Sequence, residues 1–340
     1  MNLHLLDFIC FLSLLLSILI TRYMIRVNIA DIPVERSSHT RPTPRSGGVA
    51  IVVSFMCFMI MIDQVFLQII TPHMLVIFLS SIGIAALGLI DDITHLSYKL
   101  RLILQICLAT IVVLSGLPLK VLVIPGFPPL SLGPYAPYIS VLWIVGFMNA
   151  VNFMDGLNGI VGGCTMIVLA FLAYLTPMTQ PLFYIFLGFF IATAGFMRYN
   201  FHYGRIFLGD VGSQFLGFMI AAFALECAHY SLGKVDFFSI ILLFLPFLYD
   251  VKFTFIRRAL KGRSVFVAHR EHLYQLLNRS GWNHDQVCLL YFSYTILSGL
   301  GVVYLHNHPH NILWVIPYVL LYAVHTYCVL RYARIKGVAL

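Results

Sequence analysis

The chain has 340 residues, of which 60% are hydrophobic and 10% charged, where a soluble domain carries about a quarter charged residues. With a mean hydropathy of +0.92, apolar runs must recur along its whole length, which excludes a water-soluble globule, a disordered chain and a collagen-like one. The 21 Lys and Arg against 13 Asp and Glu give a net charge of +8, which in so apolar a chain points first to anchoring at a cytoplasmic leaflet rather than to nucleic acid.

Eleven apolar segments follow one another, near residues 3–21, 48–70, 74–90, 100–117, 136–153, 157–175, 182–197, 211–229, 235–253, 287–305 and 312–330. A helix of about 20 apolar residues spans a bilayer, so the pattern predicts an all-α polytopic membrane protein of about 11 transmembrane helices. It is read as a single domain over 1–340, without internal repeat. The stretch up to Ile20 lacks a basic n-region and a small-residue cleavage site, and is read as a retained first helix. Seven cysteines lie singly in apolar runs and read as small buried hydrophobes.

If the helices alternate direction with the N-terminus outside, 19 of the 21 bases fall on inner loops and only Lys120 and Lys234 outside. That is the positive-inside pattern, and it predicts an external N-terminus and a cytoplasmic C-terminus. Nine of the 13 acids fall on the same side. Topology does not require this, so carboxylates among bases at inner helix ends point to a polar site at the cytoplasmic face, built from loops near 22–47, 91–99, 149–158, 198–210 and 254–286.

Four inner stretches concentrate residues that bind phosphate, metal or base. In His39-Thr40-Arg41-Pro42-Thr43-Pro44-Arg45-Ser46-Gly47-Gly48 the prolines fix an extended loop and the glycines let the backbone approach a ligand at a helix start; the plain alternative is a basic anchor loop. In Gly88-Leu89-Ile90-Asp91-Asp92, followed by Leu96-Ser97-Tyr98-Lys99, two adjacent carboxylates repel unless a cation, proton or base neutralises them. A solvated helix end would look the same. Asn149, Asn152 and Asp155, spaced i, i+3, i+6, would line one helical face beside Gly156, Asn158 and Gly159, and amides so near hydrocarbon are costly without partners.

The fourth stretch runs from Asn200 through Phe207 to Gly209-Asp210-Val211-Gly212-Ser213. A carboxylate at a helix start between glycines suits Mg²⁺, although an ordinary N-cap Asp reads alike. A longer loop carries Ala268-His269-Arg270-Glu271-His272-Leu273. Leu273, Leu276 and Leu277 form a stripe expected to dip into the membrane interface, and His269 and His272 share another face around an Arg270 suited to phosphate. On the outer side, His306-Asn307-His308-Pro309-His310 reads as a polar turn rather than a metal site.

Taken in this order, the TPRSGG loop, GLIDD, NAVNFMDGLNG, FLGDVGS and HREHLY resemble the polyprenyl-phosphate N-acetylhexosamine-1-phosphate transferases, the MraY/WecA-like membrane family, over essentially the whole chain. The resemblance implies transfer of a sugar 1-phosphate from a UDP-sugar to undecaprenyl phosphate, giving undecaprenyl-diphospho-sugar and UMP, in the bacterial cytoplasmic (inner) membrane with the site facing the cytoplasm. It implies Mg²⁺ on Asp210, with Mn²⁺ able to substitute, and catalytic roles for Asp91, Asp92, Asp155 and Asp210. It places Phe207 on the uracil and Asn149, Asn152, Asn158 and Asn200 near the nucleotide. His269, Arg270 and His272 fall near the diphosphate and sugar, and Arg41, Arg45 and Lys99 near the lipid phosphate or diphosphate.

Membrane lipids and a homodimeric partner follow from the same resemblance, and nucleic acid is not expected. One departure is Asn158, where many family members have Asp; an amide still donates and accepts hydrogen bonds. HREH in place of a three-histidine run looks more like the branches that initiate O-antigen or teichoic acid, and favours an N-acetylhexosamine donor. A proton-coupled transporter using inner-face carboxylates is the alternative, but such sites sit near the midplane within paired repeats.

Overall fold

The computed structural model describes residues 3–33, 41–66, 69–230, 235–264, 269–308 and 311–339. Glu35, Arg36, His39, Thr40, Lys234, Ala268, Pro309 and His310 lie outside the described residues. The helices are α1 Leu3–Val27, α2 Gly48–Phe66, α3 Pro72–Thr94, α4 Tyr98–Leu114, α5 Ala136–Phe153, α6 Ile160–Leu175, α7 Pro181–Asn200, α8 Gly209–Tyr230, α9 Phe237–Leu243, α10 Leu245–Leu260, α11 Leu273–Arg279, α12 His284–Asn307 and α13 Val315–Ile335. Two short antiparallel pairings, β1 Ala30–Asp31 with β2 Thr43–Pro44 and β3 Val121–Leu122 with β4 Leu130–Ser131, brace loops. Thr71 caps α3 and Ser97 caps α4, each through its hydroxyl.

The architecture is all-α and polytopic, and each of the eleven apolar segments carries helix. Among the described residues eight helices are long and apolar enough to cross a membrane, or nine if the bent pair α9 and α10 is one span. With 17 and 16 residues, α4 and α6 are shorter than these spans.

The segment at 235–253 is not one uninterrupted span. It breaks at Phe244 with a bend of 71° between α9 and α10. Pro246 sits in the first turn of α10, where its missing N–H costs nothing and its fixed φ suits a new helix start. The redirected α10 carries Asp250, Arg257 and Arg258.

The core is organised around α8, whose apolar stretch is 94% buried inside the protein against 22% for α1 and 17% for α13. It packs against α3, α5, α2 and α9. Glycines set how closely. A Cβ on Gly48 would lie 2.2 Å from the Gly212 Cα, and one on Gly88 would lie 2.6 Å from the Asp210 carbonyl oxygen. The glycines of the first loop and of GLIDD therefore let helix backbones touch. Gly47 and Gly48 were expected to admit a ligand, but they face protein: Gly47 abuts Phe196 and the Phe207 carbonyl.

Gly88→Ala places a methyl against α8 backbone that has no side chain to move aside. Overpacking of this kind costs roughly 1–3 kcal/mol. Thermal unfolding of the detergent-solubilised protein should show a lowered midpoint for Gly88→Ala and an unchanged one for Gly146→Ala, whose added methyl meets open space.

Candidate active site

The α8 N-terminus lies inside the bundle, and the first amide groups of a helix need partners. They find one on α3. The Asp92 carboxylate accepts the Asp210 amide at 3.0 Å and the Val211 amide at 3.5 Å, and takes the Ser46 hydroxyl at 2.9 Å. A carboxylate here also opposes the positive end of the helix dipole. Gly47 and Gly48 donate their amides to the Phe207 and Leu208 carbonyls, and the Phe207 amide donates to Pro44. The first, second and fourth stretches thus meet at one helix start.

Asp210, held in this way, accepts from the Asn152 amide at 2.8 Å and from the Arg101 guanidinium at 3.0 Å. The same Arg101 nitrogen donates to Asp91 at 2.5 Å, while Asp91 also receives the Leu96 amide at 2.8 Å. Asn152 donates to Ser213 as well. One turn along α4, Gln105 receives the Asn149 amide at 2.9 Å and donates to Gln214 at 3.1 Å. A polar ladder therefore runs from the helix ends into the apolar interior.

Arg101, Gln105 and Gln214 are site residues that the sequence motifs did not identify, and Ser46 and Ser213 lay inside the quoted motifs without a role of their own. Arg101 was legible only as one more inner base. Its signal was the i, i+4 spacing with Gln105, a polar pair opening an apolar helix directly after the Asp pair. Lys99 is exposed without a hydrogen bond or ion pair among the described residues. The base that enters the carboxylate cluster is Arg101.

Asp155 lies just past α5, in the turn rather than on the helical face expected for it, because α5 ends at Phe153. Its carboxylate accepts no hydrogen bond among the described residues. Burial, and then the negative charges of Asp210 and Asp92, push its carboxyl well above the ordinary carboxylate range. Asn200 is structural as well as near the site: it accepts the Gly159 amide at 2.7 Å and donates to the Ile206 carbonyl at 2.8 Å. Asn158 sits against Gly204, where an added Cβ would approach its amide nitrogen to 2.3 Å. The Phe207 ring is half-buried at the same edge.

The fifth stretch is fixed by Asp250 on α10. This buried carboxylate accepts the Leu273 and Tyr274 amides at 2.9 and 3.1 Å, the Tyr291 hydroxyl at 2.5 Å and His272 Nδ1 at 3.2 Å. The cap draws α11 into the protein. Leu273, Leu276 and Leu277 are consequently core residues, not the membrane-interface stripe expected from their spacing. Tyr274 donates to the Phe153 carbonyl at 2.9 Å, which ties α11 to the end of α5.

His272 is buried at the α11 N-cap, and its ring stacks 5.0 Å from that of His269. Burial first, and then the neighbouring His272 and Arg258, push the His269 imidazole down to about 4, so it meets a ligand uncharged at neutral pH. Arg270 is half-buried, Arg41 is exposed, and Arg45 lies 3.9 Å from Asp31.

Four carboxylates share one bridging guanidinium in this cluster. Among the described residues no three His, Cys, Asp or Glu side chains form a closed metal cage. The carboxylate oxygens of Asp210 and Asp91, each accepting one hydrogen bond and retaining a second lone pair, and those of Asp155 are nonetheless hard donors. They fit a cation that keeps waters and shares phosphate oxygens, as Mg²⁺ does.

A family model described as Glycosyl transferase family 4 matches residues 74–228. The chain is 30% identical over 314 residues to a decaprenyl-phosphate N-acetylglucosaminephosphotransferase of Mycobacterium tuberculosis, covering 81% of this chain and 75% of that one. It is 29% identical to a probable undecaprenyl-phosphate N-acetylglucosaminyl 1-phosphate transferase of Bacillus subtilis, over 86% of this chain and 82% of that one. To an undecaprenyl-phosphate alpha-N-acetylglucosaminyl 1-phosphate transferase of Salmonella typhi it is 25% identical, over 90% and 85% of the respective chains.

A carboxyl raised in the folded state binds its proton more tightly there than in the unfolded chain. Its contribution to stability is complete below the unfolded value of about 3.9 and is lost as pH rises toward the folded one. At neutral pH and without ligand, Asp155 therefore destabilises the fold. Asp155→Asn should raise the unfolding midpoint at pH 7 in chelator and flatten the fall of that midpoint as pH rises above the unfolded value of about 3.9; a lowered midpoint would refute this placement.

Proposed function

We propose that this chain, which belongs to glycosyl transferase family 4, transfers the 1-phosphate of an N-acetylhexosamine from its UDP-sugar to undecaprenyl phosphate, releasing UMP. The reading extends to the initiation of a cell-envelope glycan such as O-antigen or teichoic acid at the cytoplasmic face of the inner membrane. The observation that carries it is the joining of Asp91 and Asp210 through Arg101, with Asn152 also donating to Asp210, beside an Asp155 whose carboxylate accepts no hydrogen bond among the described residues.

Both reactants are polyanions, so their mutual repulsion is the first barrier, and fixed charge in a low-dielectric site is the largest means of lowering it. Arg101 offers donors on the carboxylate side, and Arg45 and Arg270 border the neighbouring loops. When bound, Mg²⁺ would draw negative charge from the diphosphate oxygens, with Asp210 as its principal protein ligand and Asp91 and Asp155 nearby; Mn²⁺ is the expected substitute.

A phosphate monoester has a second pKa near 6, so the lipid phosphate is mostly dianionic at neutral pH and scarcely needs a general base. Its oxygen attacks the sugar-bearing phosphorus. The new phosphorus–oxygen bond forms as the bridge to the nucleotide breaks, and UMP leaves with the bridging oxygen. Asp92, committed to the α8 amides, holds the frame. Asp91 and Arg101 orient the acceptor, and Asp155 takes up a remaining proton. Phe207, Asn158 and neutral His269 border the expected nucleotide and sugar positions. Residence in the bilayer supplies the acceptor without extracting its long chain from lipid.

Purified protein with undecaprenyl phosphate, Mg²⁺ and a panel of UDP-N-acetylhexosamines should release UMP with one donor and stop on chelation. Removing one preorganised charge contact typically costs about 10²–10³ in rate. Asp210→Asn and Arg101→Met should fall in that range, whereas Lys99→Met should stay near the wild-type rate. Folded protein that releases no UMP with any donor would refute the assignment.

A further inference from the structure

Away from the carboxylate cluster, and sharing no residue with it, a cleft of about 610 Å³ opens between α10 and α13. Three bases, Arg257, Lys261 and Arg334, line it above an apolar floor of Phe253, Leu330 and Val338. The Arg257 side chain is only 10% exposed. One of its nitrogens donates to the Glu271 carbonyl at 3.0 Å and to the Glu271 carboxylate at 3.3 Å, but Nε and Nη1 are buried with no hydrogen-bond partner among the described residues.

Glu271 cannot supply the missing acceptors, because Arg258 and Arg263 also pair with it. Positive charge is crowded here. The Lys261 ammonium is held below the ordinary lysine value, by desolvation first and then by Arg257 and Arg263. A buried guanidinium with unmade hydrogen bonds is costly, and its planar fork matches the oxygens of a phosphate. The cleft opens at the C-terminal end of α10, where Arg257 is tied to Glu271 in the loop that carries Arg270 and His272.

We propose that this cleft binds the phosphate of an anionic bilayer phospholipid, with Arg257, Lys261 and Arg334 on the headgroup and the first acyl carbons against Phe253, Leu330 and Val338. The apolar floor distinguishes a phospholipid from free phosphate, which would have no use for it. The Arg257–Glu271 pair joins the occupied cleft to the loop carrying His269 and Arg270.

The test is native mass spectrometry of the full chain released from phosphatidylcholine bilayers containing phosphatidylglycerol. The wild type should retain one phosphatidylglycerol tightly. Bases near an anionic surface contribute about 1 kcal/mol each, so Lys261→Gln/Arg334→Gln should weaken retention roughly thirtyfold. Arg331→Gln, an exposed base on the same helix outside the cleft, should leave it unchanged. Melting in phosphatidylcholine alone verifies that each variant folds; if the double variant does not, exposed Lys261→Gln is read in its place and should weaken retention severalfold. Equal retention by variant and wild type, equal loss in Arg331→Gln, or displacement of the lipid by inorganic phosphate or by undecaprenyl phosphate would overturn the proposal.

Discussion

The first amide groups of α8 emerge inside the protein, and the carboxylate of Asp92, on a different helix, receives two of them. In a low-dielectric setting unpaired amides cost several kcal/mol each, so this contact between α3 and α8 fixes where the most buried helix can begin. It also imposes steric terms. Two helix backbones must come close enough for a short side chain to reach across, which is why Gly88 faces the Asp210 carbonyl and Gly48 faces Gly212. Once α8 is seated, Asp210 follows, and Arg101 and Asn152 reach it from α4 and α5. A second carboxylate repeats the device: Asp250 on α10 starts α11 and so anchors the loop with His269, Arg270 and His272.

These two caps differ from the remaining acids in purpose. Asp92 and Asp250 are saturated by donors from several elements and act as frame. Asp155 accepts no hydrogen bond among the described residues and is held against its own charge by burial and by neighbouring acids. A fold tolerates such a group where a ligand relieves it, and polyanionic substrates with a divalent cation would do so. In the proposed reaction, stability and function thus pull on Asp155 in opposite directions, as active sites commonly require.

Much of this was legible in the sequence because acids and amides are rare in a chain with 10% charged residues. Asp91, Asp92, Asn149, Asn152, Asp155 and Asp210 stand out against hydrocarbon, and hydropathy locates the helices that bring them together. Arg101 did not stand out, because an inner base is already explained by topology, and no count separates an anchoring Arg from one that bridges two carboxylates. Gln105 and Gln214 form a pair only in three dimensions. The glycines were legible as sites of close approach, but whether ligand or backbone approaches depends on tertiary contacts. The bend at Phe244 was masked by continuous hydropathy, with Pro246 its only mark. The leucines of α11 pointed to an amphipathic surface helix because the cap that buries them lies 23 residues away on Asp250.

The dependence of the site on the cap supplied by Asp92 is tested most directly by amide hydrogen exchange at Asp210 and Val211, followed by NMR in detergent micelles. A cap of this kind contributes about 1 kcal/mol or more. The account predicts that Asp92→Ala speeds exchange at both amides by roughly an order of magnitude, while Asp92→Asn, whose amide oxygen still accepts, retains most of the protection. Unchanged exchange at Asp210 and Val211 in folded Asp92→Ala would contradict it.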